Sequence, residues 1–262
     1  MQMIAASKLK KAQDAALSSR PYVQKLTDLA LDLSEKTEEA KKHPYMKLNE
    51  SNKTLVIALS PDKGLCGGLV TNLLREFFNY AKEDKDASYI VLGKKLEAQV
   101  TKLDREVIAS FVFGTTLPQF DMVYPLTKLI DEYYLSGKVQ KVKIIYTDFT
   151  SFFSQVPKIV TLLPITLPEQ SEKKEDTFQL YEPSLPEMLP PLLRHYLEMS
   201  LYQYLLESYL SEQAARMIAM QNATTNAKDI IEALKLEYNK TRQAKITSEL
   251  LDITGGRAQA NG

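Results

Sequence analysis

A chain of 262 residues with 44% apolar and 25% charged side chains can build one sizeable core plus extended structure, which excludes a wholly disordered polypeptide. Its 33 Lys and Arg balance 33 Asp and Glu, so no whole-molecule attraction to nucleic acid or acidic lipid is expected, and partners must be read from local patches. Cys66 is the only cysteine, which excludes an internal disulfide, and no uninterrupted apolar window is long enough to cross a bilayer.

In chain order, Leu9, Ala12, Ala16, Ser19, Val23, Leu26, Ala30 and Leu33 recur at alternating spacings of three and four, the seam of a coiled-coil helix over residues 1–43. Ala12, Ala16 and Ser19 are small enough to let a partner backbone approach closely, and Pro21 is expected to kink the helix without ending it.

Residues 52–166 read as an α/β body. Apolar strands over Thr54–Ser60, Tyr89–Leu92, Val107–Phe113 and Val142–Thr147 alternate with helices near Leu69–Lys82, Lys94–Lys102 and Met122–Ser136, and a further strand falls near Ile159–Leu163. That alternation predicts a Rossmann-like, mostly parallel sheet covered on both faces. Residues 167–191 are charged and rich in proline, the composition of a connector.

The final helix is expected over 192–258, because Leu192 to Thr254 contains none of the 12 prolines and 9 glycines. As one helix this stretch would run roughly 95 Å at about 1.5 Å per residue, so it must project or find a partner. Met217, Met220, Thr224, Ala227, Ile231, Leu234 and Tyr238 form its seam, which resumes one residue out of phase at Ile246, Leu250 and Ile253. The two terminal seams predict a long antiparallel coiled coil with the α/β body inserted between its helices.

Ser60-Pro-Asp-Lys-Gly-Leu-Cys-Gly-Gly-Leu69 is a glycine-rich turn from a strand into a helix, the usual place for a phosphate. It has neither of the spacings that cradle phosphates, G-x-x-x-x-G-K-[ST] or G-x-G-x-x-G, and is read as a tight structural turn. A thiol nucleophile at Cys66 would need a base, and the only histidines, His43 and His195, lie elsewhere in the sequence, so Cys66 is read as packed; the same scarcity gives no metal-ligand spacing. Lys8, Lys10 and Lys11 near the start, and Lys235, Lys240, Arg242 and Lys245 near the end, would share one end of an antiparallel rod and form a positive tip for acidic partners. The competing reading is a solvated face with salt links along the helix.

Ser211-Glu-Gln-Ala-Ala-Arg-Met-Ile-Ala-Met-Gln-Asn-Ala-Thr-Thr-Asn-Ala227, then Tyr238-Asn-Lys-Thr-Arg-Gln-Ala-Lys-Ile-Thr-Ser-Glu-Leu-Leu-Asp-Ile-Thr-Gly-Gly256, resembles the gamma subunits of F-type ATP synthases. Met1-Gln-Met-Ile-Ala-Ala-Ser-Lys-Leu9 and Asp62-Lys-Gly-Leu-Cys-Gly-Gly68 are similar to the first-helix and strand-to-helix motifs of that family. The resemblance implies a central rotor without catalytic site, cofactor or metal. Its coiled coil would stand inside a ring of alpha and beta subunits, and its body would rest on the membrane c-ring beside the epsilon subunit. Arg242 and Gln243 match the family's Arg-Gln pair that contacts a beta-subunit loop, and Met1 falls on a position facing the beta subunits; Lys8, Lys235, Lys240 and Lys245 are added from the positive tip. The implied location is the cytoplasmic face of the bacterial inner membrane, with the mitochondrial matrix side second. Family members usually begin further upstream, so the first helix is expected to be short for a complete shaft. A static coiled-coil adaptor is the alternative function.

Overall fold

The computed structural model describes residues 1–36, 42–103, 105–166, 182 and 184–260. Of the predicted connector over 167–191, residues 167–181 and 183 lie outside the described residues. The elements are α1 (Gln2–Lys36), β1 (Thr54–Leu59), α2 (Leu69–Glu83), β2 (Ser88–Leu92), α3 (Lys94–Val100), β3 (Val107–Phe111), α4 (Val123–Tyr134), β4 (Lys141–Phe149), β5 (Gln155–Leu163) and α5 (Leu185–Ala260).

Strand order is β3-β2-β1-β4-β5, parallel throughout except that β5 runs antiparallel to β4. All six residues of β1 are buried because the sheet is covered on both faces. Strand alternation sends Leu55, Ile57 and Leu59 into one core with α4, α1 and the early part of α5, and Val56 and Ala58 into another with α2 and α3. On α2 the spacing of Leu69, Leu73, Phe77 and Tyr80 makes a single buried stripe. The fold class expected from the sequence is the one observed.

Two details differ from expectation. The last helix begins at Leu185, ahead of Leu192, and takes in Pro190 and Pro191. Each proline forgoes an intrahelical hydrogen bond, but the turn they occupy buries Leu189 and Leu193. The second difference is an added stripe on α5, the expected partner of α1. The α1 seam residues Leu9, Ala12, Ala16, Ala30 and Leu33 pack in the cluster that holds Leu193, Leu197, Leu201 and Leu205, ahead of the seam read from Met217, and Met217 itself packs against that cluster. The order of cross-contacts is antiparallel: Arg20 meets Glu207, and further along α1 Tyr22 meets His195, earlier on α5. Pro21 lies inside one continuous helix.

Met1–Ile218 forms one compact unit and Ala219–Gly262 a second. Within the second, every residue from 221 to 251 is exposed, including Ile231, Leu234, Tyr238, Ile246 and Leu250.

Candidate functional site

The glycine-rich turn after β1 is held from several sides. Ser60 Oγ donates to the Gly93 carbonyl at 3.0 Å and accepts the Leu96 N–H at 3.1 Å. Asp62 accepts the Lys94 N–H at 3.0 Å and the Gly114 N–H at 2.6 Å, so the chain's own carboxylate occupies the start of α3. Leu65 stands in the left-handed region at φ 63° and exposes 60% of its surface, a backbone state costly for a side chain with a Cβ. Gly93, at φ 101°, is required by close approach, since a Cβ there would lie 1.9 Å from the Ser60 carbonyl oxygen.

The other side of the turn is fastened to α5. Arg216 donates to the carbonyls of Lys63 at 3.2 Å and Gly64 at 3.4 Å and pairs with Glu212 at 2.7 Å. Glu212 is 1% exposed, and burial raises its carboxyl pKa against the opposing pull of Arg216. Burial likewise pushes up the Cys66 thiol, which packs with Leu69 and Ala215; it is a neutral, enclosed sulfur. From α1, Lys8 Nζ donates to the Thr115 carbonyl, which also accepts the Tyr209 hydroxyl at 3.2 Å. One carbonyl thus ties both long helices to the loop after β3.

This constellation is a mechanical joint. Lys8, Asp62 and Arg216 spend their charges on carbonyls, N–H groups and Glu212, and among the described residues no group of three or more His, Cys, Asp or Glu side chains is placed to hold a metal. Spacing offered one clue to it, the i,i+4 pair Glu212 and Arg216. Nothing in the sequence marked Thr115 or Tyr209 as the meeting point of two helices.

The residues read as partner-facing are divided between the two units. Met1, 74% exposed, and half-buried Lys8 belong to the first; Lys235, Lys240, Arg242, Gln243 and Lys245, all exposed, belong to the second. Lys8 is engaged at Thr115, where its charge acts on Glu212.

The family described as ATP synthase matches residues 1–260. The ATP synthase gamma chain of Dehalococcoides mccartyi is 39% identical over 98% of this chain and 91% of its own length. That of Laribacter hongkongensis is 39% identical with the same coverage. The fold is also similar to a chain of the Tetrahymena thermophila mitochondrial ATP synthase central stalk and c-ring structure, at TM-score 0.63 and 24% identity, covering 86% of this chain and 97% of that one. With a joint built to hold helices to a body and a match along nearly its whole length, the chain belongs to the gamma chain family of the ATP synthases.

Proposed function

We propose that this gamma chain couples ion-driven rotation of the membrane c-ring to conformational cycling of catalytic beta subunits, with the body on the c-ring beside epsilon and the second unit of α5 inside the alpha–beta ring. Supporting this most directly is the run from 221 to 251, helical and exposed at every residue, in which Leu236 and Tyr238 are 71% and 68% exposed. So extended an apolar display is unfavourable in water and suits a surface that works against partners. Conformational coupling then needs only unequal contacts with successive beta subunits, since a partner shifts an equilibrium by its differential affinity.

Within that reading, Arg242 and Gln243 contact a beta-subunit loop, the guanidinium fork engaging carboxylate or carbonyl oxygens. Lys235, Lys240 and Lys245 extend the same surface, Met1 faces the beta subunits, and Lys8 borders the surface from the joint. The relatives in bacteria support a place on the cytoplasmic face of the inner membrane. Tethering Arg242→Cys to a beta subunit tests the proposal: multisite ATP hydrolysis stops when the tether forms and returns when it is cleaved. Hydrolysis indifferent to the tether would point to a static adaptor.

A further inference from the structure

Seven of the twelve buried polar or charged residues among the described residues lie on α5 between Ser200 and Gln213. Burying polar groups on a helix is costly unless they are paired, so their concentration on one element asks for a reason. Five of the seven follow two helical ridges, Gln203–Glu207–Ser211 and Ser208–Glu212, the second continuing to Arg216.

Both ridges meet β4 at Thr147, and the second goes on to the glycine-rich turn through Arg216. Thr147 of β4 lies beyond the last residue paired with β1, Ile145, and stands opposite Pro157 of β5, which has no N–H to offer. Its two backbone groups are taken by α5: the Thr147 N–H donates to Ser208 Oγ at 3.2 Å, and Ser211 Oγ donates to the Thr147 carbonyl at 3.0 Å. At this point the helix replaces a neighbouring strand. One turn earlier Glu207 Oε1 receives Arg20 of α1 at 2.7 Å and Gln203 Nε2 at 2.8 Å.

Resting on the shaft reading, we propose that this row is a key locking α5 to the sheet and to α1, and that Ser208 and Ser211 carry torque between body and shaft. Apolar packing is non-directional, and packed helices can shift along one another by small steps or by a turn while keeping most of their buried area. Hydrogen bonds to a fixed backbone lose their geometry over a displacement below an ångström and oppose that movement. The leucine seam holds the helix in place at rest; the serine pair holds its register under load.

The test uses the assembled complex in sealed vesicles, with ATP as fuel, and the double variant Ser208→Ala/Ser211→Ala. A control, Leu201→Val, trims apolar packing on the same helix, and melting temperatures of both variants are measured alongside. With no opposing gradient the serine variant hydrolyses ATP at the wild-type rate. Against an imposed ion gradient its ions pumped per ATP fall to half or less, whereas the control keeps the wild-type ratio. An unchanged ratio in the serine variant, or an equal fall in the control, overturns the key and leaves the shaft reading intact. A wild-type chain that assembles and never pumps overturns both.

Discussion

Arg20 on α1 and Glu207 on α5 meet at 2.7 Å across the helix pair, the arginine side chain 40% exposed and the carboxylate 6%. One end of the bridge is wet and the other dry, so removing the two partners has unequal consequences. Arg20→Met strands a buried carboxylate and is expected to cost about 2 kcal/mol, below the full penalty for a buried pair because the arginine is partly solvated. Adding Glu207→Met recovers most of that loss. Urea unfolding of both single variants and the double variant measures the coupling, and strict additivity would show that the bridge is passive.

Gly93→Ala places a methyl 1.9 Å from a backbone oxygen at a positive φ, with neither strain relievable by a rotamer. The expected cost is about 3 kcal/mol or more, read as a lower denaturant midpoint with an unchanged slope.

Tyr209 holds its proton to about 12, chiefly because of burial, against an ordinary value of 10.0. The folded state therefore keeps a proton that the unfolded chain releases, so the tyrosine's contribution to stability is complete below pH 10 and is lost as pH rises toward 12. Tyr209→Phe removes this share of the alkaline decline and costs about 1 kcal/mol at neutral pH for the hydrogen bond to Thr115. Tyr89, Tyr134 and Tyr204, also raised to about 12, keep the remainder of the slope in place. Thermal unfolding across the alkaline range separates Tyr209→Phe from the wild type.

Arg242→Ala removes an exposed side chain and should change melting by less than about 0.5 kcal/mol. In the assembled complex the same change is expected to lower coupled turnover about tenfold, the value of one charge-assisted contact. A large loss of stability with normal coupling would assign Arg242 to folding.

The strands of the body were legible because each is a short apolar run between turn residues, and a sheet buried on both faces needs nothing more. The register of the helix pair was not. The small and large residues of α1 fit any apolar stripe, and the stripe chosen, Leu189 to Leu205 at intervals of four, begins among prolines that read as a connector. The joint was half visible. Its glycines and the Glu212–Arg216 spacing can be read directly, whereas Ser208 and Ser211 look like surface residues until the Thr147 N–H and carbonyl are found paired with them. Polar residues report burial poorly when what they pair with is a distant backbone.

Rotation itself is the most direct test. Cys66 is buried, so a probe attached through Phe153→Cys, at a residue 85% exposed, labels the body at one place. With the chain bound in an immobilised alpha–beta ring and ATP supplied, the probe should turn in one direction in discrete steps. A ring that hydrolyses ATP at full rate while the probe stays still would contradict the account.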